Sequence, residues 1–261
     1  ANGLQVAAYR VGMIVGGGVL PGFVDGVGLP GIFAVMAVLT VLSTVPVWIM
    51  REPPTVETHD APPPSHFLRL PGVAPILALV IIYKFGEAAA QGMLKPFLVD
   101  HHLTLADIAW ILGTIGAVAG MTGALLGGWA VAHLGRKRAL VIFGLGQVVT
   151  VLGYAYLAFD HPSYTELYIW AGVEHFASGA ATASLFTAMM DWSRPDASGT
   201  DYTVQASAVV IATGVAGTLG GFSADVIGFG WHFLVSAGLC AGAVIAAMTL
   251  FPKRAFPIAT G

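Results

Sequence analysis

The chain is a succession of long apolar stretches parted by short polar ones. Segments free of Asp, Glu, Lys and Arg run over 26–50, 108–135, 139–159, 202–224 and 226–252. Each reaches the roughly 20 residues that a helix rising about 1.5 Å per residue needs to cross a hydrocarbon core. Three more spans emerge once interior charges are admitted: 3–24 with Arg10, 73–98 with Lys84, Glu87 and Lys95, and 164–190 with Glu174. The pattern predicts an all-α membrane protein with eight transmembrane helices. The alternating segments of about ten residues that build a membrane β-barrel are absent from the sequence. Residues 1–10, with an arginine at Arg10, do not read as a cleavable leader.

Composition agrees with that pattern. Of 261 residues only 10% are charged, 56% are hydrophobic, and the mean hydropathy is +0.80. An ordinary soluble domain carries about 25% charged residues to cover its surface. The single cysteine, Cys240, excludes internal disulfides and cysteine-based metal clusters. A net charge of -3 gives no reason to expect a nucleic-acid partner. The sequence lacks a Walker A segment and the HExxH and GxSxG signatures, so it offers neither an ATP site nor a recognisable catalytic constellation. No cofactor, no metal and no enzymatic activity are expected.

The spans are joined by short turns except at 51–72, a proline-rich stretch that reads as an extended linker between larger units. Cations set the orientation. Arg51, Arg69, Arg136, Lys137, Arg138, Arg194, Lys253 and Arg254 all fall in alternate connections, on one side of the predicted bundle. The positive-inside rule makes that side cytoplasmic, with the C-terminus there too.

A shift of 200 residues lays the first two spans on the last two without a gap. Gln5 falls on Gln205, Asp25 on Asp225, Gly28 on Gly228 and Phe33 on Phe233. The repeat unit is thus six helices long, and two six-helix halves related by an axis along the membrane normal resemble the major facilitator superfamily. On that resemblance the eight spans correspond to helices 5–12 of twelve. Residues 1–50 are the last two helices of the N-terminal half, 51–72 the central cytoplasmic linker and 73–261 the C-terminal half. The first four helices would then precede Ala1.

Narrower resemblances rest on local motifs. Tyr83-Lys84-Phe85-Gly86-Glu87, with Glu174, resembles the muropeptide permeases and their acetyl-CoA-transporter relatives. Three further runs, Glu174-His175-Phe176, Met189 to Ala197 and Thr200 to Ser207, resemble the siderophore permeases of the rhizobactin/pyochelin type (RhtX/FptX). That second resemblance implies a monomeric, multi-pass importer of ferric siderophore in the bacterial inner membrane. Proton coupling and alternating access complete this expectation. The alternative is a muropeptide, drug or other small-solute permease on the same scaffold. The turn Gly128 to Lys137 resembles the superfamily's gating motif, with Ala132 in place of its usual aspartate.

Glu174 and Glu87 are the two carboxylates set deep in apolar segments, where an unpaired charge costs at least about 2.5 kcal/mol. Both are candidates for proton coupling, since desolvation favours a neutral carboxyl that can exchange protons. The competing reading of Glu87 is a structural pair with Lys84, three residues away on one helix face. Glu174 has only His175 beside it, which helical phase turns elsewhere. Candidates for holding substrate are Lys84, Tyr83, Gln205, Gln5, His175, Phe176 and Arg10. For the two glutamines the alternative is hydrogen bonding between helices; for the aromatic residues, packing; for Arg10, snorkelling. Arg136, Lys137, Asp191, Arg194 and Asp201 are candidates for a cytoplasmic gate, against the reading of a solvated charged loop. Glycines at 12/16, 116/120, 123/127 and 217/221 have the spacing that lets helices pack closely. Asp100-His101-His102 reads as a polar loop, lacking a spaced third metal ligand.

Overall fold

A computed structural model describes residues 11–12, 15–16, 20, 24–49, 63–160 and 162–252. Gln5, Arg10, most of the predicted first span, the linker from 51 to 62 and the basic pair Lys253-Arg254 lie outside the described residues. The helices are α1 (Val24–Ile49), α2 (Pro64–Leu68), α3 (Val73–Asp100) and α4 (Leu105–Ile108). A π-helical stretch, Ala109–Ile115, carries α4 into α5 (Gly116–Leu134). Then come α6 (Arg136–Phe159), α7 (Tyr164–Asp191) and α8 (Ser198–Thr249), the last preceded by a 3-10 turn at Pro195–Ala197. No strand occurs among the described residues. In lipid that is the expected solution, because a helix satisfies its backbone polar groups within the segment.

α8 contains 52 residues, about 78 Å at 1.5 Å per residue, and is too long for one crossing. It breaks at Gly228 (φ 78°, ψ 163°), where the two predicted final spans meet. α1 breaks in the same way at Gly28 (φ 68°, ψ 169°). This backbone region is essentially open to glycine alone. The two breaks stand at the offset of the sequence repeat, so the aligned glycines share a conformation as well as a position. Among the described residues five stretches are long and apolar enough to cross a membrane, one of them the 55-residue Pro195–Thr249 that holds the second break. α7, which carries Glu166, Glu174 and Asp191, has the length but is not among the five. The eight predicted spans are therefore recovered in part.

α3 packs on α8, α5 on α7, and α6 joins the two pairs by touching both α7 and α8. Small residues make the α5–α7 contact possible. Gly123 faces the Phe176 backbone, Gly127 faces Ala180, and Gly179 abuts Gly120, so three of the predicted close-packing glycines are used for that. Outward faces carry large apolar side chains such as Val210, Phe222, Val226 and Ile245. α1 is nearly all exposed; of its described side chains only Ile32 is buried.

Two apolar clusters fill the bundle, one above the other. The first gathers Leu94, Phe97, Ile111, Tyr154, Leu167 and Phe233, and the second Leu79, Tyr83, Leu140, Leu185, Met189 and Trp192. On α3 and α7 the residues between these clusters are polar: Lys84 and Glu87 on one, Glu174 and Ser178 on the other, all buried. The connections sort to opposite ends. Contacts from Arg194 to His66, Arg136 to Asp191 and Lys137 to the Met248 carbonyl gather the cation-bearing turns at one end. Ring contacts of Phe97 with Phe229 and Phe159 with Trp231 mark the other.

Candidate functional site

The polar layer is built from two matching ladders. On α3, Lys84, Glu87 and Gln91 follow a spacing of three and four residues, which places them on one helix face. On α7, Glu174, Ser178 and Thr182 repeat every four residues and do the same. Both ladders sit near the middle of 28-residue helices. α3 and α7 are not close-packed neighbours, and it is these side chains that cross the space between them.

The connections are continuous. The Lys84 ammonium donates to Glu87 Oε2 and to Thr182 Oγ1, the latter at 3.1 Å. The Ser178 hydroxyl donates to Glu87 Oε1. The Gln91 amide nitrogen stands 3.0 Å from Glu174 Oε1, 3.0 Å from Ser178 Oγ and 3.5 Å from Glu87 Oε1. His175 Nδ1 closes the chain 3.0 Å from Glu174 Oε2. Seven side chains thus run unbroken from Thr182 to His175, and the two deep acids are two links apart. Glu87 and Glu174 are 3% and 2% exposed, against 9% for Lys84. Their burial is tolerable because each carboxylate meets donors or a cation.

Glu87 makes the pair with Lys84 and also belongs to a network that reaches Glu174. One sequence-based reading is corrected. His175 does not turn away from Glu174; its ring bends back along the helix, also reaching the Ala171 carbonyl at 2.9 Å, and packs on Gly116 where the π-helical stretch ends. The sequence reasoning missed Gln91, Ser178 and Thr182. Helical phase from Lys84 and from Glu174 pointed to all three, but neutral polar residues in apolar helices draw no attention by themselves.

Other candidates fall elsewhere. The Tyr83 hydroxyl is committed to the Leu140 carbonyl at 2.9 Å, and its ring belongs to a core cluster. The Phe176 side chain is exposed, while its backbone meets Gly123 on α5. Gln205 is fully buried, and its amide nitrogen donates to the Met189 carbonyl, Ser193 Oγ and the Asp201 carbonyl. These bonds tie α8 to the end of α7 and the turn after it. Gln5 and Arg10 lie outside the described residues.

The gate candidates do meet. Arg194 binds Asp201 with two side-chain hydrogen bonds of 2.8 Å and a backbone one of 3.0 Å, and its Nη1 reaches His66 Nδ1 at 3.0 Å. The hydrogen bonds to Asp201 hold the guanidinium above its ordinary pKa. Arg136 pairs with Asp191 at the surface, beside a cleft of about 460 Å³ that Lys137, Arg138, Trp192 and Phe251 also line. Phe67, next to His66, is fully buried and anchors α2.

The sequence matches the model of the Major Facilitator Superfamily over residues 1–162 and again over 76–260. It is 26% identical over 242 residues to the anhydromuropeptide permease of Escherichia coli strain K12, covering 89% of this chain and 49% of the relative. It is 24% identical over 267 residues to the putative transporter AmpG 4 of Rickettsia conorii, covering 97% of this chain and 64% of that protein. An uncharacterized protein of Haemophilus influenzae is 29% identical over 164 residues, 60% of this chain and 39% of its own. The chain spans about half the length of the first of these curated relatives.

Proposed function

The chain belongs to the Major Facilitator Superfamily, and from that premise we propose that it carries a small solute across the bacterial inner membrane by alternating access, coupled to protons. The single observation that supports coupling is the buried network joining Glu87 to Glu174 through Ser178 and Gln91. Two acids held midway along the bundle, joined by Gln91 and Ser178 and with the Lys84 ammonium on Glu87, are groups that can change protonation as the solute binds. No nucleotide-binding motif competes as an energy source.

The solute we favour is a muropeptide. Two of the relatives named above are called permeases or transporters of that type, and none is called a siderophore permease. The siderophore reading rests on the runs between Glu174 and Ser207, and much of their polarity is used internally: Gln205 donates to Ser193 Oγ and the Asp201 carbonyl, and Arg194 holds the Asp201 carboxylate. The domain reading belongs to the same proposal. Residues 1–50 close an N-terminal half, 51–72 link, and 73–261 form a second half, with the matching breaks at Gly28 and Gly228 as support. The cation-bearing end faces the cytoplasm, following the positive-inside rule, and one copy suffices for transport.

The test is uptake by the whole protein in proteoliposomes under an imposed inward proton gradient. Labelled anhydromuropeptide is expected to accumulate and ferric siderophore is not. Glu174→Gln is expected to abolish accumulation. Unchanged accumulation and pH dependence in that variant would remove Glu174 from the coupling machinery.

A further inference from the structure

Lys84 limits what the site can accept. Among the described residues it is the one lysine or arginine in the polar layer, and its ammonium is shared between Glu87 and Thr182. A lysine ammonium has three N–H donors, and two are used, so one stays available. Its side chain is 11% exposed against 4% for that of Glu87, so the cation is the more open partner. It faces the space that α3 and α7 bridge only with side chains.

Resting on the transporter reading above, we propose that the solute is an anion whose carboxylate-type group takes the place of Glu87 at the Lys84 ammonium. Glu87 keeps its bonds to Ser178 and Gln91 when displaced, so the acid stays in place and loses only its cation. A buried carboxylate without its cation takes a proton from the side open to it. One negative charge and one proton therefore enter the layer together and leave together, and the layer's net charge never changes. The solute's anionic group neutralises Lys84, while the proton rests on a Glu87 oxygen. On the opposite side the solute leaves, Glu87 gives the proton up and returns to Lys84.

The other titratable groups around Glu87 do not supply a competing cation. On its own helix Tyr83 turns its hydroxyl to the Leu140 carbonyl. From α8, Cys240 lies over Gly86. From α7, Glu174 is reached through Gln91, and His175 sits on the far oxygen of Glu174.

The test compares labelled anhydromuropeptide with the same compound methyl-esterified at its carboxylates, using the whole protein in proteoliposomes. The acid is expected to enter at least about tenfold faster than the ester, the scale of a lost charge-assisted hydrogen bond. Lys84→Gln is expected to lose that preference, and Lys84→Arg to keep it. Because Lys84→Gln strands Glu87 in the interior, the double variant Lys84→Gln/Glu87→Gln checks that the loss is not one of folding. Glu87→Gln is expected to bind and exchange the acid form without its pH dependence, and to stop accumulating it. Equal entry of acid and ester would overturn the inference and leave the transporter reading standing. So would an unchanged acid preference in Lys84→Gln, or proton-driven accumulation by Glu87→Gln. Entry of neither form into vesicles with the wild-type protein overturns the muropeptide reading and this inference with it.

Discussion

Gln91 joins the two halves of the polar layer without carrying a charge. Its amide spans Glu174 and Ser178, and Ser178 passes the contact on to Glu87. Gln91→Leu keeps the volume and removes the donor, so buried acceptors on Glu174 and Ser178 lose a partner. The expected cost is about 1–3 kcal/mol of stability, seen as earlier thermal unfolding in detergent. Proton-driven uptake is expected to fall further than solute exchange does, because in the proposed coupling only the first needs Glu87 and Glu174 to act together. Equal losses in both assays would mean that Gln91 supports the fold and nothing more. Lys84, Glu87 and Glu174 were legible in the sequence because a charge inside an apolar span is expensive and has to be answered. Gln91, Ser178 and Thr182 were not, because their meaning depends on which helix lies across the gap. Periodicity within one helix does not say which helices face each other. His175 was misjudged for a related reason: adjacent residues point about 100° apart on a helix, but an imidazole is long enough to fold back on its neighbour.

At the scale of elements, glycines decide how close the helices lie. A methyl group on Gly179 would strike the Gly120 carbonyl and the backbone at Ala124, atoms that have no room to move. Gly238 has nothing within 4 Å of the same position. Gly179→Ala is therefore expected to push α5 from α7 and cost about 1–3 kcal/mol. Gly238→Ala is expected to be neutral or to stabilise by a few tenths of a kcal/mol, up to about 1. Melting temperatures of the two variants side by side check the contrast. The glycine spacing in the sequence indicated close packing without naming a partner, and the structure assigns α7 to the α5 glycines. Gly228 poses a different constraint. Space is open around it, so only its backbone conformation resists a side chain. Gly228→Ala is expected to destabilise by about 1–3 kcal/mol despite the vacant surroundings. The break was legible in the sequence as the boundary between two spans. Its conformation was not, since the repeat aligned residues and said nothing of their dihedral angles.

At the scale of the molecule, salt bridges mark one end of the bundle and ring contacts the other. Two salt bridges between side chains far from the polar layer, Arg136–Asp191 and Arg194–Asp201, stand at the cation-bearing end. At the other end aromatic rings meet, Phe97 on Phe229 and Phe159 on Trp231. The two bridges are unequal. Arg136 and Asp191 are 45% and 41% exposed, and a pair so wet contributes at most about 1 kcal/mol. Arg194 and Asp201 are 12% and 0% exposed, and breaking a buried pair by removing one partner costs about 3–5 kcal/mol. The second bridge also holds the linker side of the chain, because Arg194 reaches His66 and Phe67 is sunk beside it. Closure at this end therefore depends on Asp201 far more than on Asp191. In an alternating-access cycle the loss of such a latch has a directional result: it favours the state open at that end and leaves the aromatic end closed. Asp201→Asn is expected to raise labelling at Met189→Cys, a buried site one helical turn beneath the latch, by a thiol reagent presented from the cation-bearing side. Cys240→Ser serves as the background. Asp191→Asn is expected to leave that labelling near the wild-type rate. If Asp201→Asn and Asp191→Asn label alike, the buried bridge does not govern closure, and the charged end is a solvated loop.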